Sequence, residues 1–328
     1  QVVIVTTTVY EPEYDLPEGA KRIFPDITGE EITNNRIVNF IRRFKKLRNV
    51  WKTEKPDIIV SFIGKNNFMA ILTAWGLHIP VVTSVRGEPS AEYYSKTQEI
   101  LSKTLMGKAH GLILQTPDAK AYFPKWIQKK AVILENPLNP EFIDEYYTGK
   151  RNKEIVSVGR IDSNKNQKLI VDAFRQIAGE IEGVILVLYG AGEGKEALEN
   201  YVRSGPYKER IFMPGAVSDV KTRIRKSKIF VLSSNTEGMP NALMEALALG
   251  IPSISTDCGG PRMLMEGKEN GILVPVGDAA AMAEAMKQLL TDEVLWQRCS
   301  ENAYEVAREL HPDNINKKWE EYLLSKMK

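Results

Sequence analysis

The chain has 328 residues, 43% of them apolar and 26% charged, which is ordinary globular usage and excludes a disordered, collagen-like or disulfide-stapled chain. Forty-four Lys and Arg against 42 Asp and Glu leave a formal charge of +2, so no global polycation points to nucleic acid. The length predicts two domains of roughly 150 residues, no apolar run approaches the roughly 18 residues of a membrane-spanning helix, and the two cysteines, Cys258 and Cys299, suit a reducing, cytoplasmic compartment.

The chain opens directly on a strand pattern, Gln1-Val2-Val3-Ile4-Val5, with neither an initiator Met nor a signal-peptide pattern before it; it is expected to start inside a domain. Short β-branched runs then alternate with helical stretches, the pattern of an α/β protein with parallel sheets. The predicted strands of the first part are Val2–Thr6, Asp57–Ser61, Val81–Ser84, Gly111–Gln115 and Ala131–Leu134. They are apolar without strict alternation, as strands buried on both faces are. The clearest helix between them runs from Asn34 to about Thr53, within the stretch Asn34–Lys55. Its Ile37, Phe40, Ile41, Phe44, Leu47 and Trp51 recur at helical spacing and predict a core-facing stripe. Its other faces carry Arg36, Arg42, Arg43, Lys45, Lys46, Arg48, Lys52 and Lys55, with Glu54 the only acid. Such a face is either simply solvated or lies peripherally on an anionic membrane, where each cation adds about 1 kcal/mol. With no aromatics interleaved, it is not a nucleic-acid surface.

A Pro-punctuated segment, Asn136–Pro140, and a polar stretch, Thr148–Lys153, predict the linker. The rhythm then restarts with Ile155–Val158, Val184–Tyr189, Arg210–Met213, Ile229–Ser233, Ser253–Ser255 and Ile272–Val274, and two helical stretches close the chain, before Leu310 and after Pro312. The expected division is residues 1–150, residues 151–310, and a terminal helix, 311–328, packing back toward the first domain. The second half reads as a complete doubly wound sheet and the first as one lacking its opening strand and helix. Two such domains facing each other leave a cleft between their carboxyl-end loops, where open α/β sheets bind ligands.

The strongest chemical signal is Ser233-Ser234-Asn235-Thr236-Glu237-Gly238-Met239-Pro240-Asn241-Ala242-Leu243-Met244-Glu245-Ala246. A strand ends, Gly238 permits unusual backbone, Pro240 suits a first helical turn, and the helix stops at Gly250. The free N–H groups of that helix start make an anion site. Glu237 and Glu245 stand beside it, which is costly unless each accepts hydrogen bonds from ligand hydroxyls; a sugar and a ribose satisfy both. Glu237-x7-Glu245, followed by Gly259-Gly260, resembles the retaining glycosyltransferases of the GT-B fold, family four, across Glu154–Val276 and more weakly over the first half. The resemblance implies two Rossmann-like domains and a nucleotide-sugar co-substrate. Glu237 and the backbone of Gly238, Met239 and Pro240, with Asn241 and Ala242 following, would hold donor hydroxyls and diphosphate, and Glu245 the ribose.

The second signal is Gly159-Arg160-Ile161-Asp162-Ser163-Asn164-Lys165, after a strand. Cleavage at the sugar C1 leaves negative charge on the departing diphosphate. Arg160 can bridge two phosphate oxygens and Lys165 adds a point charge, and preorganised cations there stabilise the transition state. No Asp-x-Asp pair and no His- or Cys-rich cluster occurs, so no catalytic metal or other cofactor is expected. The Gly190-Ala191-Gly192-Glu193-Gly194-Lys195 loop fails both the phosphate-loop and the dinucleotide patterns; it is a turn close to the donor or simple tight packing. By resemblance Ala216 and Val217 receive the base, while Ser218 alternatively reads as an ordinary N-cap.

In the first half, Ser84-Val85-Arg86-Gly87-Glu88-Pro89 ends a strand at the cleft. Relatives place a His in this domain near the donor sugar, but His78, His110 and His311 sit in no convincing cleft loop. Arg86 and Glu88 are the first-domain candidates on the acceptor or sugar side, with Lys65 and Asn66 reaching toward the acceptor. The Ser-x-Arg-x-x-Pro turn resembles bacterial enzymes of polysaccharide or lipid-linked glycan assembly. The reading is a metal-independent retaining hexosyl- or N-acetylhexosaminyltransferase using a nucleotide-diphosphate donor, with UDP favoured. Its rivals are a non-catalytic partner of an active transferase and a nucleotide-sugar epimerase.

Overall fold

The computed structural model describes residues 1–6 and 15–327. All strand pairings in it are parallel. β1 (Val2–Val5) and β2 (Ala20–Ile23) form a separate pair, Val2 opposite Ala20. β3 (Ile59–Phe62), β4 (Val81–Ser84), β5 (Gly111–Leu114) and β6 (Ala131–Ile133) make a four-stranded sheet in chain order. The second sheet has six strands: β7 (Asn152–Val158), β8 (Ile185–Tyr189), β9 (Ile211–Gly215), β10 (Ser227–Leu232), β11 (Ser253–Thr256) and β12 (Gly271–Val274). Their order, β12-β11-β10-β7-β8-β9, reverses direction between β7 and β10, the switch point at which doubly wound sheets bind ligands. β2 escaped the strand reading because Ala20-Lys21-Arg22-Ile23 offers two cations where the other strands offer β-branched residues.

The longer helices are α1 (Arg36–Glu54), α2 (Gly64–Ala74), α3 (Lys96–Leu105), α4 (Gln167–Ile177), α5 (Lys195–Arg203), α6 (Asn241–Ala248), α7 (Gly259–Met265), α8 (Ala279–Thr291), α9 (Glu293–Glu309) and α10 (Pro312–Leu324). No described helix is long and apolar enough to cross a membrane. Successive strand residues serve opposite faces: Ile155 of β7 packs with Ile170, Phe174 and Met286 on one side of the second sheet, and Val156 with Leu243, Leu247 and Val306 on the other. This two-sided burial produces the unbroken apolar runs.

The amphipathic reading of α1 needs correction. Leu47 and Trp51 are buried, but Ile37, Phe40 and Ile41 are 70%, 47% and 45% exposed. Periodicity identifies one face of a helix; it cannot say how far along that face the sheet extends. The basic faces are also less lonely than the helix alone implies. Arg43 and Lys46 meet Asp26 and Glu31, and Arg48 donates to the Thr73 and Trp75 carbonyls.

The chain crosses between the two units twice, and the crossings touch where the Leu138 N–H donates to the Leu310 carbonyl at 2.9 Å. After the second crossing α10 lies on the first sheet, with Trp319, Tyr322 and Leu323 against Val82, Ile113 and Leu134. The segment read as a polar linker contains a structural anchor. Arg151 is only 7% exposed; its Nη1 donates to the carbonyls of Arg225 (2.8 Å) and Ser227 (3.4 Å), and its Nη2 to those of Leu249 and Gly250 (2.9 Å each). Burial pushes its pKa down to about 10, so it stays charged at neutral pH. Arg151→Ala leaves these carbonyls without their charged donor and is expected to destabilise the fold by about 3 kcal/mol, read as a shift of the urea midpoint.

Candidate active site

The carboxyl ends of β7 and β10 deliver the two loops that the sequence singled out, side by side. Asn164 joins them: its Nδ2 donates to the Thr236 carbonyl (3.0 Å), its Oδ1 accepts from Thr236 N (3.2 Å) and Oγ1 (2.9 Å), and its carbonyl accepts from Asn235 N (2.7 Å). Ser233 Oγ adds bonds to the Lys165 and Asn166 carbonyls at 2.7 and 3.0 Å. Lys165 itself starts from a turn that its N–H closes onto Asp162 Oδ1 at 2.8 Å, and Asn166 takes a left-handed φ of +48°. Asn164 and Ser233 carry no sequence signal as joiners, because their partners lie some seventy residues away.

Within this frame, Glu237 Oε1 accepts from Lys165 Nζ and from Ser234 Oγ, both at 2.5 Å. The two charged side chains are 11% and 19% exposed. Arg160 differs: its side chain is 77% exposed, and among the described residues its one ion pair is with Asp162, at 3.3 Å. The site therefore presents one cation already engaged by a carboxylate and one standing open to solvent. Among the described residues, no three His, Cys, Asp or Glu side chains lie together as a metal would require.

The glycines of the loop after β8 are dictated by close backbone approach. A Cβ on Gly190 would fall 1.8 Å from the Gly159 carbonyl oxygen, and one on Gly192 would fall 2.3 Å from that of Ile161. The Gly159 and Ile161 N–H groups donate to the Tyr189 and Ala191 carbonyls at 3.0 Å. The loop thus packs tightly against the Arg160 turn. Ala216 and Val217 follow β9, the first exposed and the second half-buried. The N-cap position of the short helix beyond them is Asp219, not Ser218, and neither side chain caps it.

Pro240 occupies the N-cap of α6, one residue earlier than its reading as a first-turn residue. Met239 is buried at the crossing, where its Sδ accepts from Asn136 N at 3.1 Å, and Asn241 Oδ1 accepts from Asn136 Nδ2 at 2.8 Å. Ala242 packs at the edge of the core. Glu245, one turn into α6, is half-buried; burial, with Glu141 adding, pushes its carboxyl up to about 7. A carboxyl with its folded pKa above the unfolded value contributes stability at low pH that is lost as pH rises from about 4.5 through about 7. The unliganded protein should lose stability over that window, and Glu245→Gln should remove this part of the slope in a melting series.

The facing wall comes from the first unit. Gly238 has no room for a side chain because a Cβ there would stand 2.2 Å from the Arg86 carbonyl oxygen and 2.5 Å from Gln115 Oε1. Across the same cleft Arg262 of α7 bonds Asp118 at 2.7 Å and Asp257 at 2.7 Å. Glu88 is half-buried and its pKa is raised by that burial, with Asp118 adding. Lys65 and Asn66 stand exposed on the first turn of α2; the buried member of that run is Asn67, which donates to the Ser84 carbonyl at 3.0 Å. His110 Nδ1 accepts from Val81 N and His311 caps α10, roles in strand and helix ends as their positions imply. Glu92, which the motif reading passed over, ties the two first-unit loops by accepting from the Gly64 N–H.

Two parallel α/β units with paired loops at the switch point of the second define a class, and comparison with known proteins gives the family. The sequence model of glycosyl transferases group 1 matches residues 139–306, half of the chain; the chain belongs to this family, and its fold is GT-B. It is 27% identical over 292 residues to the Campylobacter jejuni GalNAc-alpha-(1->4)-GalNAc-alpha-(1->3)-diNAcBac-PP-undecaprenol alpha-1,4-N-acetyl-D-galactosaminyltransferase, covering 87% of this chain and 79% of that protein. It is 30% identical over 151 residues to the Rhizobium meliloti lipopolysaccharide core biosynthesis glycosyltransferase LpsE, covering 46% of this chain and 43% of that one. Among solved structures, Anabaena HepE in complex with UDP-glucose superposes with a TM-score of 0.78 at 18% identity, covering 89% of this chain and 85% of HepE.

Proposed function

We propose that this glycosyltransferase moves a sugar from a UDP-sugar to a hydroxyl of a lipid-linked or polysaccharide glycan, with retention at C1 and without a bound metal. The observation that carries the reading is the arrangement at the switch point: an open guanidinium, Arg160, beside the Lys165–Glu237 pair on two loops locked by Asn164. The UDP-glucose bound by HepE supports the donor class, and the undecaprenol-diphosphate glycan in the Campylobacter enzyme's name supports the acceptor class.

Arg160 reaches the donor diphosphate without breaking a buried pair, and Lys165 shares its charge between Glu237 and the phosphate as negative charge develops there. Glu237, so held, keeps its second oxygen for a sugar hydroxyl. Glu237, held by Lys165 and Ser234, is assigned to orienting the sugar rather than attacking it, so the departing phosphate takes the acceptor proton in a front-face attack. Closure of the first unit over this site excludes water and limits hydrolysis. Glu245 accepts the ribose hydroxyls in its ionised form, so UDP should bind more tightly at pH 8 than at pH 6, with the difference reduced in Glu245→Gln to the part due to ionisation of the UDP phosphate itself.

The protein is expected to act at the cytoplasmic face of the membrane, with the exposed Ile37, Phe40 and Ile41 of α1, flanked by cations, meeting anionic lipid as an interfacial helix does. The deciding experiment is a UDP-, GDP- and ADP-sugar panel against lipid-linked oligosaccharides, read by mass spectrometry, with and without chelator, and with product stereochemistry assigned by NMR. Interconversion of free UDP-sugar without transfer would favour the epimerase. UDP binding with no turnover on any acceptor would favour the non-catalytic partner.

A further inference from the structure

Among the described residues, Arg86 has no counter-charge at its cationic end. The guanidinium carbon lies 5.4 Å from the ring centroid of Trp319, on α10, and 6.0 Å from that of Phe62, the last residue of β3. The two rings stack on each other at 6.2 Å and 25°. Nη1 is shut off from solvent and has no hydrogen-bond partner among the described residues. Burial pushes the pKa down, but only to about 10, so the charge persists at neutral pH. The acids of its own loop are occupied elsewhere: Glu92 accepts from the Gly64 N–H and Glu88 from Ser90 Oγ.

A cation that has lost part of its hydration without gaining a counter-charge is costly, and aromatic faces return only part of that cost. The surroundings are nevertheless open on one side. Phe62 is 44% exposed and its neighbour Ile63 58%. Ile63 adopts φ +68°, a positive-φ backbone that a β-branched residue takes only under strain. Bonds from Ile63 N to the Ser84 carbonyl (3.2 Å) and from Asn66 N to the Ile63 carbonyl (3.1 Å) hold it there. An apolar side chain is thus held out beside a half-buried cation, at the carboxyl edge of the first sheet. The Arg86 carbonyl meanwhile faces Gly238 of the donor loop.

We propose that Arg86, backed by Trp319 and Phe62, is a subsite for an anionic oxygen group carried by the acceptor, a phosphate or a carboxylate, with Phe62 and Ile63 as the apolar floor for the carbon skeleton next to it. This rests on reading the cleft as a transferase site: Arg160 and Lys165 on the opposite wall claim the donor diphosphate, so the anion facing Arg86 belongs to the second substrate. Planar guanidinium geometry suits either oxyanion.

The test uses the full chain saturated with UDP and three probes titrated by ligand-observed NMR: glucose 1-phosphate, methyl glucuronide and methyl glucoside. Wild type should bind at least one charged probe about tenfold or more tighter than the neutral one. A preference for the phosphate over the carboxylate, or the reverse, names the source. Arg86→Met should bring the charged and neutral probes within about twofold of each other while UDP affinity stays the same, and Arg86→Lys should restore part of the preference. Equal binding of all three probes by wild type, or an undiminished preference in Arg86→Met, overturns the subsite. Should Arg86→Met not fold, Phe62→Ala replaces it: weaker binding of all three probes supports the apolar floor, and unchanged binding overturns it. Loss of UDP binding in wild type would instead sink the transferase reading and is seen separately.

Discussion

Glu237→Gln and Lys165→Ala should each lower turnover by about two to three orders of magnitude, the effect typical of removing one preorganised electrostatic group from a reacting centre. The two side chains form one ion pair, 2.5 Å long and largely buried, so each single variant also strands a charge and should lose stability, by about 2 kcal/mol or more. The double variant Lys165→Ala/Glu237→Gln removes both charges and should recover part of that stability. Activity should not recover with it, because both groups act on the same transition state and a unit already broken has little left to lose. Turnover and urea midpoint, measured on the four proteins, separate the two roles. If the double variant regains turnover along with stability, the pair is structural and another group handles the diphosphate. Arg160→Ala gives the contrast: with its side chain mostly in solvent, it should reduce turnover while leaving the midpoint nearly unchanged.

The parts of this site that were legible in the sequence are those whose chemistry is local. Glu237, Glu245, Arg160 and Lys165 each lie within a strand–loop–helix unit, so strand end, turn and helix start place them on one edge of one sheet. The strand order that brings the β7 and β10 loops together followed from doubly wound topology. What could not be read is what depends on distant partners. Arg151 lies in a stretch that looks solvated, yet it collects carbonyls up to ninety-nine residues away. The Arg262–Asp118 pair spans 144 positions. The stripe on α1 was misread for a related reason, since helical period reports that a face is apolar while the neighbour that should bury it lies elsewhere in the chain. Arg86 illustrates both sides: its place at a strand end marked it as a cleft residue, and its lack of a counter-ion emerged only once Trp319, more than two hundred residues later, was seen against it.

Gly238→Ala should prevent the two units from closing while leaving each intact. The added methyl would stand 2.2 Å from the Arg86 carbonyl oxygen and 2.9 Å from its carbon, backbone atoms that cannot rotate aside as the Gln115 side chain can. On the first-unit side this segment is tied into the sheet, with Val85 N bonded to the Ile113 carbonyl at 3.0 Å. On the other side the loop has nowhere to retreat, because its Gly238 carbonyl sits 1.7 Å from where a Cβ of Gly260 would lie. Strain at this contact is relieved most readily by rotation about the crossing segments, opening the cleft and stretching the Arg262–Asp118 bridge. Misplacing the reacting groups by about 1 Å costs on the order of a hundredfold in rate, and a cleft that fails to close admits water. The variant should therefore show transfer reduced about a hundredfold, a larger share of donor lost to hydrolysis, and an increased radius of gyration by small-angle scattering. UDP affinity measured alongside separates two causes, because Gly238 also stands in the loop proposed to hold the donor: affinity close to wild type assigns the loss to closure, and a drop matching the loss of transfer assigns it to the donor contact. Normal transfer with an unchanged radius of gyration would mean that this contact yields without cost and that closure is governed elsewhere.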